Sequence, residues 1–241
     1  MKPPRLALIT GANKGIGFEA ARQLGALGIR VLIGTRDPQR GNTAVTQLKE
    51  EGVDARAVSI DVSDAASIKA AAAHVENEFG HLDILVNNAG IGLDRALPSE
   101  LDVAHLRAVM ETNFYGALLT TQAFMPLLRK SSAARIVNVS STMGSLFLLS
   151  NPQWIGHQTL CSSYSISKTA LNALTALLSA ELVGTPIKVN SVEPGYTATD
   201  MTSGQGFQTP EQAARVIVTY ATLDAAGPSG GYFDNMGPIA W

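Results

Sequence analysis

A tyrosine and a lysine four residues apart are the pair in this chain with the clearest chemical use. Tyr164 and Lys168 lie in a stretch whose pattern predicts a helix, so their side chains share one face about one turn apart. A free phenol titrates near ~10, so proton exchange near neutrality requires its anion to be favoured by about 3 units, or ~4 kcal/mol. The Lys168 ammonium supplies stabilisation of that sign. Such a pair is more often a surface pair, so the prediction of an acid–base site needs other motifs beside it.

A glycine-rich loop follows the first apolar run and leads into a predicted helix. Its glycines, Gly11, Gly15 and Gly17, have the spacing G-x-x-x-G-x-G. Gly11 permits a tight turn, and the other two let a pyrophosphate and the neighbouring strand approach the backbone. The helix N-terminus behind the loop presents N–H groups and a positive dipole end to an anion. We interpret the loop as a dinucleotide phosphate site, although glycines also serve plain turns.

The end of the second apolar run indicates which dinucleotide is preferred. Thr35 stands where an acidic side chain would accept hydrogen bonds from the ribose of NAD and repel a 2′-phosphate. Arg36 follows it, and Lys14 lies in the phosphate loop, so two cations could converge on that phosphate. The pattern favours NADP(H). The alternative is that both cations are solvated, with Asp37 partly neutralising Arg36.

These motifs need a scaffold that brings their loops to one edge. Short apolar runs alternate with longer amphipathic stretches, which is typical of a parallel sheet covered by helices on both faces. We therefore predict an α/β fold, a doubly wound Rossmann-type sheet of about seven strands, in a single domain over residues 1–241 that contains both cofactor and substrate sites. The expected strands are Leu6–Thr10, Arg30–Gly34, Ala55–Ile60, Ile84–Asn87, Arg135–Ser140, Ile187–Glu193 and Gly230–Phe233. The expected helices are Gly15–Leu27, Thr43–Glu51, Asp64–Phe79, Leu101–Leu128, Ser163–Leu182 and Thr209–Leu223.

The phosphate loop resembles the T-G-x-x-x-G-x-G fingerprint of the short-chain dehydrogenase/reductase family. Motifs at the ends of later predicted strands and in the later helices resemble that family as well, over essentially the whole chain. They are Asp61-Val62, Asn87-Asn88-Ala89-Gly90, Asn113, Ser140-Ser141, Tyr164-Ser165-Ile166-Ser167-Lys168 and Pro194-Gly195-Tyr196-Thr197-Ala198-Thr199. The local sequence is similar to the carbonyl-reductase-like, NADPH-dependent members, in which the loop lysine and the arginine after the second strand bind the extra phosphate.

The resemblance implies four catalytic residues. Tyr164 would donate or accept the proton during hydride transfer, and Lys168 would also bind the nicotinamide ribose. Ser141 would hydrogen-bond the substrate oxygen as charge develops on it, which is the role of a fixed dipole and not of a nucleophile. Asn113 would hold a water that links Lys168 to solvent. Its alternative is a polar residue at a helix kink near Gly116.

The resemblance also implies a set of cofactor contacts. Asp61 is expected to accept from the adenine amino group, with the Val62 backbone beside it, and the segment after the fourth strand to line the adenine ribose. The turn that begins at Pro194 would clamp the nicotinamide carboxamide and fix which ring face delivers hydride. The expected cofactor-binding residues are Gly11, Asn13, Lys14, Gly15, Ile16, Gly17, Arg36, Asp61, Val62, Asn87, Ala89, Gly90, Tyr164, Lys168, Pro194, Gly195, Thr197 and Thr199.

The chain departs from the family between Ser141 and Tyr164, which are 23 positions apart. This gap is longer than usual, so residues 143–160 hold an apolar insertion that we expect to border the substrate cleft. Trp154 would stack on a substrate ring or pack against the helix. His157 is interpreted as a solvated loop histidine, with substrate contact as the alternative. The insertion puts the family's usual tetramer in doubt and leaves a homo-oligomer open.

The second segment expected to flank the cleft is Asp200–Gln208, in which two glycines and little apolar content predict a mobile lid. Neither this segment nor the insertion has a cationic cluster, so an anionic substrate would lack a partner there. The expected substrate is a small, neutral, hydrophobic or aromatic carbonyl compound.

Composition excludes several other classes of protein. The 241 residues are 46% hydrophobic and 16% charged with a net charge of −2, which argues against disorder, nucleic-acid binding and an anionic membrane surface. His74, His81 and His105 lack metal-ligand partners, so no metal is expected. Cys161 cannot form an internal disulfide and is interpreted as buried. The apolar run Leu6–Ile9 is too short for a signal-peptide core or a membrane span, and we predict a cytoplasmic protein.

Three functions remain open on these residues. The leading hypothesis is an NADPH-dependent reductase of ketones or aldehydes. The second is the same chemistry in reverse, an NADP-dependent dehydrogenase of a secondary alcohol. The third is a non-catalytic NADP(H)-binding redox sensor. A sensor does not need a proton-transfer set, so the presence of Ser141, Tyr164 and Lys168 favours an enzyme.

Overall fold

One parallel sheet forms the centre of the molecule in a computed structural model that describes residues 4–92, 95–158 and 161–241. Within these residues the sheet has seven strands in the order β3-β2-β1-β4-β5-β6-β7, and all neighbouring strands are parallel. The strands are β1 Leu6–Thr10, β2 Arg30–Thr35, β3 Ala55–Ser59, β4 Ile84–Asn87, β5 Arg135–Val139, β6 Lys188–Val192 and β7 Tyr232–Phe233. Their bounds differ from the predicted ones by two residues at most, as expected at strand ends.

Helices cover both faces of this sheet. They are α1 Gly15–Ala26, α2 Pro38–Glu50, α3 Ala65–Phe79, α4 Val103–Met110, α5 Gly116–Leu128, α6 Leu146–Leu149, α7 Ser162–Glu181 and α8 Pro210–Ala221. One apolar core contains side chains of α3, α5 and α7, and a second contains side chains of α1, α2 and α8. The predicted doubly wound, Rossmann-type α/β architecture is therefore confirmed. None of the helices in the described residues is long and apolar enough to cross a membrane.

The first strand shows how the sequence selects this arrangement. Side chains alternate across a strand, so Leu6 and Leu8 enter one core while Ala7 and Ile9 enter the other. Because both faces are covered, every residue of β1 is buried, and the run is apolar without alternation.

The strand order changes direction between β1 and β4. These two strands are neighbours, with Ala7 opposite Ile84, while the chain continues from β1 to β2 on the other side. The loops after β1 and β4 therefore diverge above the carboxyl ends of the strands and leave a crevice between them. The candidate site residues lie around this crevice.

Two of the predicted helices differ clearly from the observed ones, and the short α6 has no predicted counterpart. α2 begins at Pro38, five residues before the expected start, because Asp37 caps it by accepting from the backbone N–H groups of Gln39 and Arg40. The polar first turn carries no apolar period that would reveal it. The long helix expected over residues 101–128 begins at Val103 and is interrupted by a π-helical segment, Glu111–Tyr115.

Candidate active site

The phosphate loop has the backbone geometry that its glycines predict. Gly11 and Gly15 have φ values of 65° and 60°, in the region that favours glycine. A Cβ on Gly17 would lie 2.5 Å from the Asn88 side-chain nitrogen and 2.9 Å from the Gly11 oxygen. Helix α1 begins at Gly15, and within the described chain no side chain caps it. Its first N–H groups can therefore bind an anion.

A pair of residues that we did not assign joins the loop to the neighbouring strand. The Asn88 amide donates to the Thr10 carbonyl at 2.8 Å, and the Thr10 hydroxyl accepts from the N–H groups of Asn88 and Ala89, both at 3.0 Å. These bonds hold the ends of β1 and β4 together beneath the crevice. Asn88 belongs to the Asn87-Asn88-Ala89-Gly90 motif, but sequence alone does not show that its side chain turns toward β1.

Three cations lie near the end of β2. Hydrogen bonds from Ser63 are the main cause of a lowered pKa at Asp61. The exposed Arg36 lowers that pKa further through its charge. Arg40, which we did not predict, pairs with Asp37 at 3.2 Å. Asp37 is thus held by the helix that it caps and by Arg40, which weakens the alternative in which it neutralises Arg36.

The third cation, Lys14, reaches across the crevice. Its ammonium pairs with the carboxylate of Asp200 at the start of the segment expected to form a lid. Both side chains are largely exposed, at 56% and 77%. Arg40 also lowers the pKa of Asp200, after the larger effect of Lys14, so it faces the same region. The phosphate loop and the lid segment therefore meet through opposite charges.

The adenine-site residues occupy the ends of β3 and β4. One Asp61 oxygen accepts from the N–H and hydroxyl of Ser63, at 2.9 and 2.6 Å, and Val62 is buried. The Asn87 amide is buried and donates to Thr121 and Asn138, at 3.0 and 2.8 Å. These bonds steady the central strands, while the predicted ribose contacts of residues 87–90 remain a prediction.

Helix α7 places Tyr164 and Lys168 on one face, as their spacing predicts. Both side chains are buried, and the Lys168 ammonium lies 5.4 Å from the centre of the tyrosine ring. It donates to the Val139 carbonyl at the end of β5, at 2.7 Å. The interpretation as a solvated surface pair is therefore wrong.

Ser141 stands between the tyrosine and a second acid. It follows β5 and caps a short 3₁₀ turn by accepting from the Met143 N–H at 3.3 Å. Its hydroxyl also interacts with the phenol of Tyr164 and the carboxylate of Glu193. The serine thus faces the tyrosine, as a residue that holds a substrate oxygen must.

Asn113 lies in the π-helical segment, and both the oxygen and the nitrogen of its side-chain amide bind protein groups. Its amide accepts from the Ile91 N–H at 2.9 Å and donates to the Ile91 carbonyl and the Ser167 hydroxyl, both at 3.0 Å. Gly90 lies beside it, where an added Cβ would be 3.7 Å from the Lys168 ammonium. Asn113 therefore fixes the loop after β4 against α7. The predicted water relay remains a prediction.

The protein groups around Tyr164 raise its pKa, whereas the sequence pattern predicts that the tyrosinate is favoured. Burial, and then the charge of Glu193, raises the pKa of Tyr164 above its ordinary value, although Ser141 opposes the shift. Burial lowers the pKa of Lys168 to about 8. Desolvation of the phenolate is the largest cause, so the stabilisation of the tyrosinate that we expected from Lys168 does not decide the direction of the shift. The phenol is kept protonated.

Glu193 is the residue of this site that sequence reasoning missed. It is buried at the end of β6, where it accepts from the backbone N–H groups of Thr142 and Gly195 at 2.5 and 2.9 Å. Burial raises its pKa to about 7, against these hydrogen bonds and Lys168. An acid directly before Pro194 was the only available signal, and we placed it in a strand.

The turn after β6, residues 194–199, is held from several sides. Gly195 has a φ of 88°, and its carbonyl accepts from the Thr197 hydroxyl at 2.8 Å. The Gln208 amide donates to the Pro194 carbonyl. A Cβ on Gly15 would lie 3.8 Å from the Thr199 methyl group. The β6 turn thus meets the phosphate loop across the crevice, where the cofactor contacts were predicted.

The insertion packs partly on itself. The Trp154 ring makes an edge contact with His157 and covers Gly156, where a Cβ would lie 2.2 Å from it. The His157 ring nitrogen lies 2.7 Å from the Leu149 carbonyl and the residue is half-buried, so the histidine that we expected in a solvated loop is held by the backbone. The two predicted roles of Trp154, stacking on a substrate ring or packing against the helix, both remain predictions. Residues 159 and 160 of the insertion lie outside the described residues.

The first part of the insertion packs against the last residues of the chain. The Phe147 N–H donates to the Trp241 carbonyl and the Ser145 hydroxyl to the Ala240 carbonyl, both at 2.7 Å. The Phe147 side chain remains 62% exposed. In the segment expected to form the lid, Asp200–Gln208, Phe207 is 95% exposed.

In the described chain, no group of three or more His, Cys, Asp or Glu could hold a metal ion.

Known proteins are similar to this chain over nearly its whole length. A model of the short chain dehydrogenase family matches residues 5–208. Human carbonyl reductase (NADPH) 1 is 31% identical, with 98% of each chain covered, and (+)-neomenthol dehydrogenase of Capsicum annuum is 32% identical, with 95% of each covered. The crystal structure of NADPH-bound carbonyl reductase from chicken fatty liver superposes with a TM-score of 0.87 at 31% identity and covers 99% of each chain. This chain therefore belongs to the short chain dehydrogenase family and is a short-chain oxidoreductase.

Proposed function

We propose that this protein is an NADPH-dependent reductase of ketones or aldehydes and, in reverse, a dehydrogenase of secondary alcohols, with both sites in a single domain. The observation that carries the proposal is the buried cluster of Tyr164, Ser141 and Lys168 at the carboxyl edge of the sheet, beside the phosphate loop. The human and chicken relatives are named as carbonyl reductases that use NADPH, and the Capsicum relative as a dehydrogenase of an alcohol.

The residues present fit a nicotinamide dinucleotide. The N–H groups at the α1 N-terminus can bind a pyrophosphate, and a side chain at position 17 would displace Asn88, whose amide holds the end of β1 to that of β4. Asp61 keeps one carboxylate oxygen that Ser63 does not use. Arg36 and Lys14 supply positive charge for a 2′-phosphate, since Asp200 is an exposed partner from which Lys14 can be drawn.

The protein's part in the reaction is proton transfer and orientation. When bound, the cofactor supplies the hydride for carbonyl reduction. Tyr164 is held protonated and can donate to the carbonyl oxygen as charge develops there. Ser141 would hold the same oxygen through its hydroxyl. The Lys168 ammonium is held near the Tyr164 ring by its hydrogen bond to the Val139 carbonyl. Its charge can therefore favour the tyrosinate once the proton has left.

The surroundings of the site support a neutral substrate. The aromatic side chains of Phe147 and Phe207 are exposed on the segments expected to flank the cleft. The cation closest to the lid, Lys14, is paired with Asp200 and belongs to the proposed phosphate site. A hydrophobic or aromatic carbonyl compound therefore fits better than a carboxylate.

Replacing Tyr164→Phe tests the proposal because it removes the transferable proton and keeps the ring. We expect NADPH oxidation with an aryl ketone to fall by at least about 10²- to 10⁴-fold, with NADPH affinity retained. Tyr220→Phe is the matched control, since that tyrosine lies on α8 and stacks on Phe233 at 4.5 Å. Turnover within a few fold of the parent in Tyr164→Phe would remove the mechanism. NADPH binding without turnover by the parent chain on a broad carbonyl panel would favour the redox-sensor alternative.

A further inference from the structure

A buried carboxylate joins two segments of the proposed catalytic site. One oxygen of Glu193 accepts from the Thr142 N–H, next to Ser141, and the other accepts from the Gly195 N–H in the β6 turn. A protonated carboxyl would lose one of these acceptors, so the pair of N–H donors suits the ionised form. A single side chain thus bridges the two segments just beyond the last backbone bond of the β5–β6 pair, from the Ser140 N–H to the Val192 carbonyl.

The charge of Glu193 faces the groups that would exchange protons. On α7 its charge stabilises the Lys168 ammonium and disfavours the Tyr164 anion, although burial is the first cause of both pKa shifts. From the loop after β5 it meets the Ser141 hydroxyl, and from β7 the buried Tyr232. A change in its charge therefore acts on each member of the proposed proton-transfer set.

We propose that Glu193 is a positioning residue for the reaction: its carboxylate ties the loop that carries Ser141 to the β6 turn and places a negative charge near Tyr164 and Lys168. The inference rests on the proposed function, in which Tyr164 exchanges the proton. It gives a reason for a buried acid at a place where packing alone would favour an apolar side chain.

The test is the pH profile of alcohol oxidation, which requires the Tyr164 anion and rises with pH as that anion forms. Glu193→Gln keeps the shape and removes the charge. We expect the rise to move to lower pH by about 1 unit or more, because a like charge next to the phenolate is lost. The plateau rate should fall by roughly 10- to 150-fold, because the amide cannot accept both N–H groups.

Asp83→Asn is the matched control. Asp83 also accepts a hydrogen bond from a backbone N–H, that of Leu6 at 2.8 Å. It lies directly before β4, at the amino ends of the strands and away from the proposed site at their carboxyl ends. We expect its profile to match the parent's. Glu193→Asp keeps the charge and shortens the reach, so it should lower the plateau without moving the profile, and it serves if the glutamine variant does not fold.

Two results would overturn the proposal. One is a Glu193→Gln profile at the parent's position, whatever its plateau. The other is a shift of equal size in Asp83→Asn. If Tyr164→Phe has already kept its activity, the proposed function fails first. If Tyr164 proves essential and Glu193→Gln behaves as the parent, only the role of Glu193 fails.

Discussion

The two halves of the sheet build their sites in different ways. Around β1–β3 the phosphate loop depends on backbone shape, with its glycines at positive φ or in close contact, and its charged side chains, Lys14 and Arg36, are exposed. Around β4–β7 the site depends on buried ionisable side chains, Tyr164, Lys168 and Glu193, whose pKa values all shift. Exposed charges can select an anion without much cost, whereas buried charges determine where a proton resides.

The largest effect confined to one half of the sheet is a loss of kcat/KM with NADPH, and we expect it on substitution of Arg36 in the β1–β3 half. Arg36→Ala removes a charged partner of the proposed 2′-phosphate, so kcat/KM with NADPH should fall by roughly 10- to 150-fold while that with NADH changes little. The pH profile of turnover should stay in place, because no buried group is touched. Steady-state kinetics with both cofactors make the measurement.

Thr35→Asp is the companion variant, and it should move the preference toward NADH by adding repulsion. A parent enzyme with a higher kcat/KM for NADH would contradict the assignment of Lys14 and Arg36. A displaced pH profile in Arg36→Ala would break the division between the halves.

The second effect is a dependence of stability on pH that belongs to the buried half. Burial raises the pKa of Glu193 from 4.5 to about 7, so between these values the folded chain holds a proton that the unfolded chain has lost. The free energy of unfolding should therefore fall as pH rises through this window, by up to about 1.4 kcal/mol per unit. Urea unfolding at pH 5 and pH 8 should show a smaller loss in Glu193→Gln than in the parent. Equal losses in both proteins would contradict the burial of this charge.

The smallest effect concerns the apolar insertion. Phe147 is exposed, so Phe147→Ala should raise KM for aryl ketones about 2- to 12-fold, the value of an aromatic contact, and leave small aliphatic ketones nearly unchanged. Trp154 covers Gly156, so Trp154→Ala should lower stability more than it changes KM. If Trp154→Ala raises KM for aryl ketones more than Phe147→Ala does, the substrate wall lies elsewhere in the insertion.

Sequence predicted most of the fold and the local motifs, for identifiable reasons. The central strand β1 is buried throughout and apolar from Leu6 to Ile9 because both faces of the sheet are covered, and the Tyr164–Lys168 spacing fixes a shared helix face without knowledge of the rest. Features made by several distant segments were missed. Glu193 is buried where the loop after β5, the β6 turn and α7 meet, and the upward pKa shift of Tyr164 follows first from the burial of the phenol itself and then from the charge of Glu193.

The early start of α2 was missed for another reason. Its first turn is polar, so the capping residue Asp37 and the proline that follows it at the first helical position, Pro38, are the signals that sequence offers. The π-helical segment that holds Asn113 likewise has no apolar pattern of its own. In both places the element could not be predicted because no apolar period marks it.

The place of β1 in the middle of the sheet has a consequence for folding. During synthesis β1 can pair with β2 early, since Leu6 lies opposite Arg30, but its other edge waits for β4, where Ala7 lies opposite Ile84. Until then an apolar strand with unpaired N–H and C=O groups is open to other chains. Closing so long a loop is slow, and the nascent chain is prone to aggregation in this interval. The strand that carries the phosphate loop is thus also the one that depends most on the arrival of the catalytic half.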